Sequence, residues 1–266
     1  MSFWISFSDI GILGGQPSIT HPIAGPWDSP HVVNLNIFPK VLRDIVIECI
    51  NYFIEYMDQK SGKNSLGIDS CFEEADNPID LFKKWFSEAE KKEVNDPNAV
   101  AIASSDKHNQ PNVRMVLLKG LSDKGFVFYT NFNSKKGAEL KSNQKASMCF
   151  HWKSLRRQVR ILGKVEEVTS KEADEYYNSR PYKNKIGAWA SSQSEVLDKR
   201  EIFLEKIKEF EKKFPNQNSV PRPPHWSGWR LLPIEIEFWI DGEGRIHERL
   251  NYKKSNNKWS KELLYP

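Results

Sequence analysis

Between Val41 and Ile54 apolar residues fall in adjacent pairs, at 41/42, 45/46, 49/50 and 53/54, while Arg43, Asp44, Glu48 and Glu55 lie off that stripe. The spacing predicts an amphipathic helix over about 40–57. Its polar face is not rich in Lys or Arg, so the apolar stripe is expected to pack on protein rather than on a membrane surface. Residues 1–37, rich in Gly, Pro and Ser and without a period, read as an irregular extension, and "DQKSGKNSLG" reads as a linker. In "NPIDLFKKWFSEAEKKE" the signals are those of a capped helix: Asn77 as N-cap, Pro78 at the first helical position and Asp80 near the positive end of the helix dipole.

The pattern then changes to strands. "NAVAIASSD", "NVRMVLLKG", "GFVFYTN", "ASMCFHW" and "RRQVRILGKVEEV" follow one another through short polar turns, as in an antiparallel meander or small barrel. Helices are expected at 170–178 and 195–213. Closing strands are expected from "IEIEFWID", "GRIHERLNY" and "KWSKELLY". Runs of strands followed by segregated helices define an α+β fold, because a βαβ protein would alternate them. The division expected is an extension over 1–71 and a single folded domain over 72–266.

Composition narrows the function classes. With 266 residues, 39% hydrophobic and 12% aromatic, the chain can bury a sizeable core. No stretch has the apolar length of a membrane span, and the opening lacks the basic start of a signal peptide, so a soluble cytoplasmic protein is expected. Cys49, Cys71 and Cys149 are odd in number and widely spaced, which predicts neither a disulfide framework nor a zinc site. The net charge of +4 is unevenly divided: residues 1–95 hold 8 Lys+Arg against 14 Asp+Glu, and between Lys135 and Lys185 there are 13 basic and 6 acidic residues. Such a basic stretch suits nucleic acid or one or two phosphorylated small molecules. No nucleic-acid motif favours the first.

Several polar groups stand where a simple core does not need them. In "RMVLLKG", Arg114 and Lys119 mark the ends of an apolar strand and project from opposite faces. Snorkelling to water would account for either alone. "RRQVRILG" places Arg157, Val159 and Ile161 on one face and Arg156, Gln158 and Arg160 on the other. "NSKKGAEL" sets Ser134, Lys135 and Lys136 at a strand-to-helix turn, where amides and ammonium groups can meet a phosphate. "IGAWASSQSEV" offers Gln193 and Ser194 after a Trp among small residues. In "FWIDGEGRIHERL", Arg245, His247 and Arg249 share one face of an expected strand, which is costly unless they meet solvent or an anion.

Taken in order, "RMVLLKG", "GFVFYTN", "SKKG", "RRQVRI", "YYNSRP", "IGAWASSQS", "VPRPPHW", "IEFW" and "RIHERL" resemble the flavin-dependent pyridoxamine/pyridoxine 5′-phosphate oxidases over about Asn77 to Pro266. The resemblance implies a split β-barrel homodimer with FMN at the subunit interface, acting on pyridoxamine 5′-phosphate or pyridoxine 5′-phosphate with O2 as acceptor. It implies that Arg114, Lys135, Lys136, Gln193 and Ser194 hold the FMN phosphate and that Met115, Val116, Leu117 and Leu118 line the cofactor. Lys119, Tyr129, Thr130, Gln158, Trp239 and Arg249 would complete its shell. For the substrate it implies Lys119, Tyr176, Arg180 and Asn184, with Arg245 and His247 as catalytic residues beside the pyridine ring. Lys135 stands where Arg is common in that family, exchanging a fork for a point charge, and Asn184 stands where Ser is common. The alternatives are a split-barrel flavin enzyme with another substrate, which would not need Lys119, Tyr176, Arg180, Arg245 and His247 together, and a non-enzymatic carrier of flavin or pyridoxal phosphate.

Overall fold

The computed structural model describes residues 75–266 and, ahead of them, short pieces of a separate unit, Met1–Lys63. Those pieces are two antiparallel pairs, β1 (Ile12–Leu13) with β2 (Gln16–Pro17) and β3 (Ile19–His21) with β4 (His31–Val33). Of the helix expected over 40–57, Asp44, Ile47 and Glu48 are described and are helical, with the two acids exposed; the rest lies outside the described residues.

The second unit, Asn64–Pro266, opens with helix α1 (Pro78–Lys92), capped as the sequence suggests by the Asn77 side chain accepting from Ile79 N at 3.1 Å. Strands β5 (Ala99–Ser105), β6 (Pro111–Leu117), β7 (Gly120–Ser122) and β8 (Gly125–Asn131) follow, then helix α2 (Lys135–Ser142). Strands β9 (Lys145–Trp152) and β10 (Arg157–Glu167) precede helices α3 (Ser170–Ser179), α4 (Tyr182–Ala190) and α5 (Arg200–Lys213). Strands β11 (Trp226–Ile240), β12 (Glu248–Ser255) and β13 (Lys258–Leu263) close the chain.

All pairings in the sheet are antiparallel, in the order β13-β12-β11-β10-β9-β5-β6, and the sheet forks at β11. One edge of this 15-residue strand pairs with β8 along Trp226–Leu231 and with β12 along Glu235–Ile240. Opposite, the register against β10 slips between Leu162 and Gly163. A Cβ on Gly163 would stand 2.1 Å from Leu232 O, so only glycine lets the strands close at that bend. The β6–β7–β8 segment thereby curls back, giving the split barrel of an α+β fold.

Alternation along the strands separates two faces. One carries Val100, Ile102, Met148, Phe150, Val159, Ile161, Ile236 and Phe238, all buried. Helix α1 covers it: the Phe82 ring meets Phe126 at 4.9 Å and Phe150 at 5.1 Å, and Trp85 meets Phe238 at 5.1 Å. The other face leaves Val113 70% and Met115 62% exposed and carries two polar rows set by register, Gln158–Trp239–Arg249 and Arg160–Glu237–Asn251.

Four expectations are corrected. "RMVLLKG" is not one strand: β6 ends at Leu117, Leu118 turns into the core, and Lys119 lies in the link to β7, with its N–H on Val127 O at 2.8 Å. Arg156 sits in the β9–β10 turn with φ 54°, so it does not share a strand face with Gln158. Arg245 lies in a 3-10 turn, Glu243–Arg245, and β12 begins only at Glu248, because the positive φ of Gly244 and Arg245 breaks the strand. Helix α4 was not expected, and α5 starts at Arg200 rather than 195. Among the described residues no helix is long and apolar enough to cross a membrane, and no group of His, Cys, Asp and Glu is gathered to hold a metal.

Because Phe82 joins α1 to two strands at once, Phe82→Ala is expected to lower unfolding free energy by about 3–5 kcal/mol in urea titrations. A loss below about 1 kcal/mol would show that α1 is not the lid of this core.

Candidate functional site

At the end of β8 the chain turns into α2 through Ser134, whose Oγ donates to Asn131 O at 2.6 Å and accepts from Gly137 N at 3.3 Å. Residue 137 is glycine because a Cβ there would stand 2.3 Å from Phe132 O. This tight turn puts Lys135 and Lys136 in the first helical turn, where the helix dipole disfavours cations, and no acidic residue accompanies them. Lys136 Nζ donates to Thr130 Oγ1 and Gln193 Oε1, each at 3.0 Å, and among the described residues no carboxylate pairs with it. Burial, and next the charge of Arg114, push its ammonium pKa below the usual lysine value, with Glu139 opposing. Arg114 Nη2 reaches Glu139 Oε2 at 3.0 Å, and Lys135 Nζ donates to Asn112 Oδ1 at 3.1 Å.

Helix α3 supplies a second group of side chains. Its start is fixed by a capping box, Thr169 with Glu172, and by Arg230 of β11, which pairs with Glu172 and Glu166. Tyr176 therefore stacks on Tyr129, ring centroids 4.1 Å apart, and Tyr129 stacks on Trp226 at 5.3 Å. The Arg180 guanidinium lies over Trp226 at 4.7 Å, and its Nη1 is buried without a hydrogen-bond partner among the described residues. An orphaned, buried guanidinium nitrogen is costly unless an anion meets it.

Both groups open on one cavity of about 770 Å3. Its walls carry Lys119, Lys136, Arg180 and Lys183, and no Asp or Glu is among the described lining residues. Four cations without a carboxylate, beside stacked rings and the apolar Met115, Val116 and Leu117, suit a flat ligand bearing phosphoryl groups.

Of the residues singled out in the sequence, Met115, Val116, Leu117, Lys119, Tyr129, Thr130, Lys136, Tyr176, Arg180, Asn184 and Gln193 line this cavity. Arg114 and Lys135 belong to the hydrogen-bonded network around Glu139 and Asn112, and the Leu118 side chain is in the core. Ser194, with φ 76°, lies in the loop after α4 and lines an adjoining cavity of about 380 Å3. Gln158, Trp239 and Arg249 form a row on the outer sheet face, where Arg249 Nε donates to the buried Glu237 at 2.8 Å. His247 packs on Trp239 at 4.7 Å with Nδ1 3.2 Å from Asp241 Oδ1, and Arg245 occupies the preceding turn. None of the residues from Gln158, Trp239, Arg245, His247 and Arg249 is among the described lining of the cavity in one chain. Sequence reasoning did not single out Trp226, Lys183 or Glu139. Trp226 was within reach, since it ends the quoted "VPRPPHW".

Fold and cavity together define a split-barrel protein for flat, phosphorylated ligands. The pattern described as pyridoxamine 5′-phosphate oxidase matches residues 86–214, and the pyridoxine 5′-phosphate oxidase C-terminal dimerisation region matches residues 226–266. The pyridoxine/pyridoxamine 5′-phosphate oxidase of Pelagibacter ubique is 61% identical over 205 residues, 77% of this chain and 99% of that protein. That of Agrobacterium fabrum is 51% identical over 199 residues, 74% and 96% of the respective chains. Among solved structures, PhzG from Burkholderia lata in complex with tetrahydrophenazine-1-carboxylic acid superposes with a TM-score of 0.70 at 30% identity, covering 74% of this chain and 96% of its own. The chain belongs to the pyridoxamine 5′-phosphate oxidase family.

The depressed Lys136 pKa gives a test. In the ligand-free protein the native state releases this proton before the unfolded state does, so stability rises with pH between the lowered value and the usual 10.5. Lys136→Met should remove that slope, leave ligand-free Tm unchanged or higher at neutral pH, and shrink the Tm gain produced by inorganic phosphate. A lower ligand-free Tm would show that Lys136 serves the fold rather than a ligand.

Proposed function

We propose that this protein is a homodimeric, FMN-dependent oxidase that converts pyridoxamine 5′-phosphate and pyridoxine 5′-phosphate to pyridoxal 5′-phosphate. O2 is the terminal acceptor and H2O2 a product. The observation that carries the reading is the cavity with no acid among its described lining residues, whose cations fall on two groups of elements: Lys136 at the start of α2, and Arg180 with Lys183 around α3 and α4. Two phosphoryl groups, one of the cofactor and one of the substrate, account for both. The donor sets fit them, since among the described residues Lys136 has only neutral oxygens as partners and Arg180 retains a buried unpaired nitrogen.

In this reading Arg114, Lys135, Lys136, Gln193 and Ser194 hold the FMN phosphate, and Met115, Val116, Leu117 and Thr130 lie along the cofactor. FMN, when bound, supplies a two-electron acceptor for hydride from the substrate's C4′ and passes those electrons to O2. Lys119, Tyr176, Arg180 and Asn184 grip the substrate phosphate and so fix the distance of C4′ from the acceptor. Gln158, Trp239, Arg249, Arg245 and His247, outside the cavity of their own chain, complete the site from a second subunit; the dimerisation region over 226–266 contains four of them. Arg245 and His247 orient the pyridine ring, and the Gly242 N–H, donating to His247 Nδ1 at 3.3 Å, holds the His247 ring. With the amine substrate, water hydrolyses the imine product to aldehyde and ammonia; with the alcohol, the aldehyde forms directly.

A cytoplasmic location is part of this reading, because phosphorylated vitamers carry charge and do not cross lipid unaided. So is the division at residue 71, with 72–266 as the catalytic unit; a chain starting at Met57 is expected to keep its flavin and its catalytic constants within a few-fold.

The test is an aerobic assay of FMN-loaded protein with both phosphorylated vitamers and with unphosphorylated pyridoxamine and pyridoxine. Equimolar pyridoxal 5′-phosphate and H2O2 from the phosphorylated pair alone is the expected result. Arg180→Ala should raise KM for the phosphorylated substrates roughly 30-fold, about 2 kcal/mol for a charge-assisted contact, with flavin content unchanged. Loss of flavin with KM unchanged would reverse the assignment of the two phosphate sites, and flavin binding without any turnover would leave a carrier.

A further inference from the structure

Behind the cavity lies a buried carboxylate that none of the roles above uses. Glu139, in the second turn of α2, is 3% exposed. A carboxylate in such a place destabilises the fold unless donors surround it, and three do. Ser104 Oγ of β5 donates to Oε2 at 2.6 Å, Arg114 Nη2 of β6 to Oε2 at 3.0 Å, and Asn112 Nδ2 to Oε1 at 2.7 Å. The network closes on itself, because Arg114 Nη1 also donates to Ser104 Oγ at 2.5 Å and Asn112 Oδ1 accepts from Lys135 Nζ at 3.1 Å. One carboxylate thus fixes Arg114 directly and Lys135 through one amide, while Lys136, on the same helix, faces the cavity and Glu139 does not.

We propose that Glu139 is a positioning residue for the flavin phosphate, holding Arg114 and Lys135 in place and trimming the cluster's charge to that of a phosphate dianion. The inference rests on the FMN reading above. Arg114, Lys135 and Lys136 bring three positive charges, and Glu139 reduces them to a net of two. A phosphate monoester carries close to two negative charges at neutral pH. Without the carboxylate, three cations would crowd one helix start against the helix dipole, and the Arg114 fork would lose the group that orients it. A carboxylate inside the cavity would repel the ligand. Buried one turn along α2, it compensates the cations from behind.

The phosphate is what Glu139 serves, so the discriminating measurement compares two ligands that differ only in that group. Flavin-free wild type, Glu139→Ala, Glu139→Gln and Ser104→Ala are titrated with FMN and with riboflavin by quenching of flavin fluorescence. Wild type should prefer FMN. Glu139→Ala should weaken FMN roughly 10- to 30-fold, the loss of oriented charge-assisted contacts, and leave riboflavin within about two-fold. Glu139→Gln, which keeps the shape and part of the hydrogen bonding, should lose less. Ser104→Ala, which keeps every charge and removes one bridge, should lose a smaller part of the same preference and stays informative if the Glu139 variants do not fold. Parallel losses for both flavins would make Glu139 a structural residue and overturn the inference, as would an FMN preference that survives in Glu139→Ala or, if that variant does not fold, in Ser104→Ala at full strength. A wild type that binds both flavins equally would overturn the phosphate reading itself, and the inference with it.

Discussion

The cations of the cavity have to stay charged, close together and without carboxylate partners inside it, and much of the molecule is arranged to make that tolerable. A buried ammonium or guanidinium with no counter-ion is strongly disfavoured, and proteins ordinarily pair it or leave it in water. Here Lys136 is given neutral oxygens of Thr130 and Gln193, and Arg180 is laid on the Trp226 ring, where the π face offsets part of the charge. Neither arrangement neutralises its cation. In the proposed reading, that unmet demand is the binding energy reserved for a phosphoryl group.

The fork of the sheet is what allows two such places to face one cavity. Because β12 takes one half of one edge of β11 and β8 the other, the β6–β7–β8 segment curls and brings the start of α2 round to the aromatic stack that α3 supplies. Arg230, clamped between Glu166 and Glu172, ties α3 to the same strand. The outer face of the sheet carries exposed Val113 and Met115 beside a polar row of Gln158, Trp239 and Arg249, and the dimerisation region is matched over 226–266.

What the sequence made legible was local. The individual strands, the Asn77 cap and the Ser134–Lys136 turn are written in short-range chemistry, and the structure has them near where alternation and capping put them, while the pairing order, with β9 beside β5 and β8 beside β11, is not that of a meander. The misreadings arose where backbone conformation overrides pattern. "RMVLLKG" is uniformly apolar between its cations, and nothing in alternation reveals that Leu118 leaves the strand to enter the core. Positive φ at Arg245 and Arg156, neither a glycine, gave no compositional signal. Helix α4 was hidden because "IGAWAS" has neither a strong cap nor a clear stripe, and its Pro181 start makes no side-chain cap bond. Glu139 was invisible for another reason: "AEL" in a helix reads as a solvated acid, and only the tertiary approach of Ser104, Asn112 and Arg114 makes it a buried hub.

The central claim is that one cavity holds two phosphoryl groups at once, on separate sets of cations. Phosphorus NMR of the FMN-loaded protein titrated with pyridoxal 5′-phosphate addresses it directly, since each bound phosphate reports its own environment. A second bound resonance is expected to grow until it equals the flavin's while the flavin resonance keeps its area. Release of free FMN in step with uptake of pyridoxal 5′-phosphate would mean that the two compete for a single phosphate site, and would contradict it.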